Sequence, residues 1–182
     1  GVEIVSMGSV LADEDVLTWF HDMRRGATEE FVSHVRYGER DYLLIDLPPG
    51  TSSDSVNIMQ LIPDLDGAVI VTIPSEVSQN VAKKATLLCF KAKVKVFGVI
   101  ENMSGFVCPH CGEASDILCE GGGEKLAKEM GVPLLGRIPL DPRISRSCDN
   151  GRPFVLEYPD SPATKAINSV IDQIEESVGW AK

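Results

Sequence analysis

The stretch AVIVTIPSEVSQNVAKKATLLCFKAKVKVFGVI, Ala68–Ile100, decides the fold. Its two ends, Ala68–Ile73 and Val94–Ile100, are apolar runs of the kind that suits strands buried on both faces in a parallel sheet. Between them, Glu76–Lys91 places Val77, Val81, Ala85 and Leu88 at helical spacing along one stripe. Strand, helix and strand in this order form a βαβ unit.

The same alternation extends in both directions. Upstream, Tyr42–Ile45 is another apolar run, followed at once by Asp46, Pro48, Pro49 and Gly50. Before it, Thr28 is placed to cap a helix with Glu29 and Glu30 in its first turn and Phe31, Val32 and Val35 on its apolar face. Asp13–Phe20 reads as a further helix and Val2–Met7 as a short strand. Downstream, Gly121, Gly122 and Gly123 introduce a helix over Glu124–Met130, and Val132–Ile138 reads as a strand ended by Pro139. Ser161 and Pro162 start the last helix as cap and first-turn proline. Ala163, Ile167, Val170, Ile174 and Val178 supply its buried face. The expectation is an α/β fold with a mostly parallel sheet flanked by helices, one domain over residues 1–182.

Composition bounds the function. With 43% hydrophobic residues in 182, the chain can bury a core. Its 17 basic and 27 acidic residues give a formal net charge of -10. That balance disfavours general binding to nucleic acid or an anionic membrane, both polyanions. No apolar stretch approaches the roughly 18 residues of a membrane span, and no signal peptide is seen. The first residue is Gly1, not Met, and a strand-like run follows it, so the reading expects a fold that starts upstream. Five cysteines (Cys89, Cys108, Cys111, Cys119 and Cys148) include one close pair, a pattern that points to a metal or redox site in a reducing, cytoplasmic setting.

Three motifs carry chemistry. In YLLIDLPPGT, Tyr42–Thr51, Asp46 stands at a strand end, where ligands bind in such sheets. An aspartate there can hold Mg²⁺ beside a triphosphate, and Gly50 lets the main chain approach a phosphate; a turn-capping Asp is the plain alternative. In CPHCG, Cys108–Gly112, two cysteines two residues apart can bind one metal or cluster. A thioredoxin-like redox pair and an incidental pair are the rivals. Two thiolates are half of what zinc or a cubane cluster needs. Cys119, Cys148 or His110 could complete the set, or a second copy of the chain could do so on a two-fold axis. Cys89 and Cys148 read as buried and partly buried structural thiols. In GVIENMSG, Gly98–Gly105, Asn102 follows a buried strand, where its amide offers a donor and an acceptor to a purine edge; a strand-end turn asparagine is the plain alternative. The segment Asn102–Gly123 reads as a functional loop.

Taken together, YLLIDLPPGT, VTIPSEV, VFGVIENMSGFVCPHCG, GGGEKLAKEMGVPLLGRIPLDPRI and NGRPF, between Asp41 and Phe154, resemble the Mrp (ApbC) family of P-loop ATPases, relatives of MinD, ParA and the nitrogenase iron protein. The resemblance implies a partial nucleotide-binding domain of a cytoplasmic homodimer that binds ATP and Mg²⁺. It also implies a 4Fe–4S cluster carried to apo iron–sulfur proteins and shared between subunits through Cys108 and Cys111. Asp46 would belong to the Walker B and switch II region, and Gly50 would sense the γ-phosphate. Asn102 would contact adenine, with Pro139 to Asp141 bordering the base. The family's GKGGVGKS-type loop is absent from the 182 residues, so this chain is expected not to hydrolyse ATP usefully as it stands. Ser52 and Ser53 precede Asp54, displacing that acid by one place, and Arg24-Arg25-Gly26-Ala27 only loosely matches the family's Trp-Arg-Gly-Pro string. Two other classes stand beside the carrier: a MinD-like ATPase switch with a structural zinc at CPHCG, and a non-ATPase dimer module with a zinc staple.

Overall fold

The computed structural model describes residues 2–9, 21–108, 111–115, 117 and 119–179. The chain divides into two compact units, Gly1–Asp64 and Leu65–Lys182.

The first unit holds two helices. Helix α1, His21–His34, runs through Thr28. Thr28 is therefore an interior residue and not a cap, and its hydroxyl donates to the Arg24 carbonyl one turn earlier at 2.9 Å. Helix α2, Ser53–Leu61, is capped by Ser52, whose side chain accepts from the Ser55 amide at 3.3 Å. Arg24 reaches Asp54 at 3.6 Å. The two expected strands of this unit do not form. Val2–Ser6 is irregular and leads into a 3-10 turn at Met7–Ser9. Tyr42–Ile45 lies in no ladder, and Leu44 is 88% exposed. A strand exists through its neighbours, and among the described residues none pairs with either segment. The helix read at Asp13–Phe20 lies outside the described residues.

The second unit is a mixed sheet flanked by helices. Strand β1, Ala68–Thr72, lies parallel to β2, Val96–Val107, which in turn lies parallel to β4, Leu134–Leu140. The two-residue β3, Ala114–Ser115, pairs antiparallel with the far end of β2. Helix α3, Glu76–Lys91, connects β1 to β2, and α4, Gly122–Met130, connects β3 to β4. Then follow α5, Pro142–Asp149, the short α6, Phe154–Glu157, and α7, Pro162–Val178.

Consecutive residues of β2 face opposite sides of the sheet. Ile100 packs with Leu135 and Val170 on the α7 side, joined by Val69, Ile138 and Ile174. A Cβ on Gly136 would stand 2.6 Å from Val170, so glycine lets α7 lie close. Ser161 caps that helix, accepting from the Thr164 amide at 3.0 Å, with Pro162 in its first turn. On the other side, Glu101 meets α4, and α3 adjoins α4 through the Lys83–Glu129 ion pair.

Three readings shift. The buried stripe of α3 is Ala82, Thr86 and Cys89, while Val77 is 76% exposed. Small side chains one step round the helix allow a closer approach to the sheet than the valines would. Strand β2 continues to Val107, so Asn102 lies within it and part of the expected loop is a hairpin. Strand β4 passes through Pro139, because β2 bulges between Asn102 and Phe106 while β4 advances only from Ile138 to Leu140. Proline is tolerated beside such a bulge because no ladder amide is needed there.

Candidate functional site

The middle of β2, ahead of its bulge, and the carboxyl end of β4 carry three of the expected site residues. Asn102 pairs in register with Ile138, next to Pro139, and Asp141 follows the end of β4. The Asn102 side-chain carbonyl accepts from the Met103 amide at 2.9 Å, which leaves the NH₂ group as the part of the amide able to reach a ligand. Met103 adopts φ 54°, a left-handed conformation costly for a side-chain-bearing residue, and Gly105 adopts φ 68°. These two residues form the bulge that turns the strand.

Asp141 is turned toward its own helix. It caps α5, accepting from the Arg143 amide at 2.9 Å, and takes a bidentate pair from the Arg143 guanidinium at 2.9 and 2.6 Å. The hydrogen bonds from Arg143 hold its carboxyl below the usual carboxylate value, against a smaller opposing effect of burial. The guanidinium stacks over Tyr158, 4.5 Å from the ring centroid. Arg143 was not among the expected site residues, and its i+2 spacing from an N-cap Asp is the signal that could have found it.

Beyond the bulge, β2 delivers the cysteine pair. Cys108 is half-buried and Cys111 exposed, on the turn between β2 and β3. The Gly112 amide donates to the Cys108 carbonyl at 2.8 Å, and the Cys108 amide to the Glu113 carbonyl at 3.0 Å. Gly112, at φ 73°, supplies the left-handed step that closes the turn. This arrangement offers two thiols from one tight turn, the donor type that soft metals and iron–sulfur clusters take. Among the described residues no group of three His, Cys, Asp or Glu side chains could hold a metal. Cys119 is thus not grouped with Cys108 and Cys111 among the described residues, and His110 lies outside them. Cys148 is exposed, not partly buried, while Cys89 is buried and its thiol pushed up by that burial.

In the first unit, Asp46 is exposed and follows Tyr42–Ile45, which lies in no ladder among the described residues. Gly50 has φ 84°, a left-handed conformation that favours glycine, and precedes the Ser52 cap of α2.

One residue went unread. Glu101 is 0% exposed inside the apolar run of β2. It accepts from the Ser104 hydroxyl, from the Gly121 amide at 3.0 Å and from the Gly123 amide, and Arg137 Nε stands 3.8 Å away. A lone acid within a buried strand is the signal that marks it.

A family model described as ParA, NUBPL iron-transfer P-loop NTPase, matches residues 1–175. An iron-sulfur cluster carrier protein of Saccharolobus solfataricus is 45% identical over 175 residues, covering 96% of this chain and 59% of that protein. One of Methanocaldococcus jannaschii is 46% identical over 183 residues, covering 100% of this chain and 62% of that protein. The chain thus spans about three-fifths of the length of these relatives. A nucleotide-binding protein of Archaeoglobus fulgidus, solved in complex with ADP, superposes with a TM-score of 0.66 at 38% identity, over 79% of this chain and 57% of that one.

Proposed function

The chain belongs to the ParA family of NUBPL-type iron-transfer P-loop NTPases, and from that premise we propose that it carries an iron–sulfur cluster of the 4Fe–4S type to apo iron–sulfur proteins in the cytoplasm. The observation that carries this reading is the cysteine turn: Cys108 and Cys111 lie on one turn that the Gly112 amide closes by donating to the Cys108 carbonyl. A cubane cluster takes about four thiolates. Two copies of the chain, each giving Cys108 and Cys111, supply that number across a two-fold axis. The cluster is cargo, held at an exposed hairpin from which an acceptor protein can take it. The relatives named as cluster carriers support the same reading.

The nucleotide side of the proposal assigns the base to the carboxyl edge of the sheet. Asn102 would donate from its NH₂ group to adenine, with Pro139 bordering the ring. Asp141 would act through the shape of the β4–α5 corner, since its carboxylate is already engaged by Arg143. In the first unit, Asp46 would hold Mg²⁺ and its water, and Gly50 would meet the γ-phosphate. The Archaeoglobus relative's complex with ADP supports nucleotide binding in this fold. ATP hydrolysis would then gate cluster transfer, given a phosphate-binding loop, which these 182 residues do not contain. Among the described residues no helix is long and apolar enough to cross a membrane.

The test is anaerobic reconstitution with iron and sulfide, with iron counted per dimer. The expected result is a brown dimer with about four irons, lost in a Cys108→Ala, Cys111→Ala double variant. A colourless protein that takes up only zinc, or a cluster indifferent to both substitutions, would overturn the carrier reading in favour of a zinc-stapled switch or dimer module.

A further inference from the structure

The cysteine turn sits on an excursion of the chain that follows the β2 bulge, stays paired through Phe106 to Leu140 and Ser115, and ends at the start of α4. Both feet of that excursion are held by one carboxylate. On the outgoing side, the Ser104 hydroxyl donates to Glu101. On the returning side, the Gly121 and Gly123 amides donate to the same group. Gly121 is the N-cap of α4, has φ 85° and has no side chain with which to cap it, so Glu101 caps the helix from the neighbouring strand. The glycines are what allow it: a Cβ on Gly123 would stand 2.7 Å from the Glu101 Cβ, and one on Gly105 would overlap the Glu120 carboxylate. The two feet therefore touch each other as well as the clasp. Glu101 is also the chain neighbour of Asn102, so one strand segment carries the clasp, the base-reading amide and, past the bulge, the cysteines.

We propose that Glu101 is a positioning residue that closes the base of the cysteine excursion and thereby fixes the Cys108–Cys111 turn for metal binding. The physical case rests on burial and donor count. A carboxylate with no solvent exposure must be satisfied internally, and here its partners are a hydroxyl and two main-chain amides from both ends of one loop, with a guanidinium nearby. Loosening any of these frees a foot, and the thiols then sample more separations before a metal can be gripped. As a role in cluster carriage this rests on the function proposed above; as a property of the thiol pair it does not.

The experiment is cobalt(II) titration under argon, read by thiolate-to-cobalt charge-transfer absorbance, with amide hydrogen exchange at Gly121 and Gly123. The variants are Glu101→Gln, which replaces an acceptor oxygen with a donor, and Ser104→Ala, which releases one foot. Ser161→Ala, which removes the remote α7 cap, is the control for general loss of stability. Cobalt affinity is expected to fall about tenfold in Glu101→Gln, the scale typical of groups that orient metal ligands. It should fall less in Ser104→Ala and not at all in Ser161→Ala, with exchange at Gly121 and Gly123 accelerated in Glu101→Gln. Unchanged cobalt affinity with accelerated exchange would overturn the proposal, and so would an equal loss in all three variants or a wild type that binds no cobalt through Cys108 and Cys111. If Glu101→Gln fails to fold, Ser104→Ala decides alone, and unchanged affinity there overturns it. Should wild type bind cobalt in the expected order yet take up no iron–sulfur cluster, the carrier reading fails while the clasp stands.

Discussion

Around Val99, β2 has a parallel neighbour on each side, with Ile70 of β1 and Leu134 of β4 in register, and the side chain is 0% exposed. Around Leu44, the chain is equally apolar, yet it lies in no ladder and the side chain is 88% exposed. The two segments have the same kind of residues and different surroundings. The difference teaches that an apolar run expresses a demand for burial, whereas a strand also needs partners for its amides and carbonyls. In β2 those partners come from both sides, and the functional residues beyond it inherit a fixed position. Asp46 follows a run that lies in no ladder among the described residues and has no such support from a sheet.

The sharpest way to break this comparison is to put a charge into each segment. Val99→Asp buries an unpaired carboxylate in the sheet and is expected to cost more than about 4 kcal/mol, a large part of a typical domain's stability. Leu44→Asp is expected to stay within about 0.5 kcal/mol, as exposed positions do. Urea denaturation followed by far-UV circular dichroism measures both. Similar losses at the two positions would mean that the Tyr42–Ile45 segment is buried in solution.

How much of this was legible in the sequence follows the same division. The α3 boundaries, the Ser161–Pro162 start of α7 and the alternation of strand and helix all depend on local chemistry: caps, turn residues and periodicity. The buried stripe of α3 was misplaced because two adjacent stripes satisfy helical spacing. Only the sheet decides between the valines and the smaller Ala82, Thr86 and Cys89. That Asn102 and the Pro139 corner share a neighbourhood came only from the family resemblance, and the bulge that aims the cysteine hairpin was not legible at all. It depends on left-handed Met103 and on a clasp from Glu101 to residues 20 and more positions away. The cysteine pair itself needed no structure to be seen.

Glycine substitutions sharpen the contrast at a smaller scale. Gly123→Ala places a methyl group 2.7 Å from the Glu101 Cβ inside a packed contact, and overpacking of that kind costs about 1–3 kcal/mol. Part of that is offset by alanine's better helix propensity, about 1 kcal/mol. Gly50→Ala puts a side chain on a left-handed backbone at φ 84°, at a cost of about 1 kcal/mol. Beyond its size, the Gly123 effect carries a signature that Gly50 lacks: it should coincide with faster exchange of the Gly121 amide, because the same carboxylate holds both. Equal exchange at Gly121 in the two variants would separate the packing contact from the clasp.

The smallest effect compares the two aspartates that follow the apolar segments. Asp141 is held by Arg143 and caps α5, whereas Asp46 is exposed. The hydrogen bonds from Arg143 lower the folded-state carboxyl below its unfolded value, ordinarily 3.8. Folding therefore favours the ionised form: the stabilisation is fully present above the unfolded value and is lost as pH falls through the folded one. Asp141→Ala is accordingly expected to cost about 1 kcal/mol near neutral pH, the usual worth of an N-cap, and the gap between variant and wild type should close as the solution is acidified below the unfolded carboxylate value. Asp46→Ala should stay within about 0.5 kcal/mol near neutral pH. A gap at Asp141 that persisted in acid would show that its side chain acts through packing against the β4–α5 corner and not through the charge that Arg143 engages.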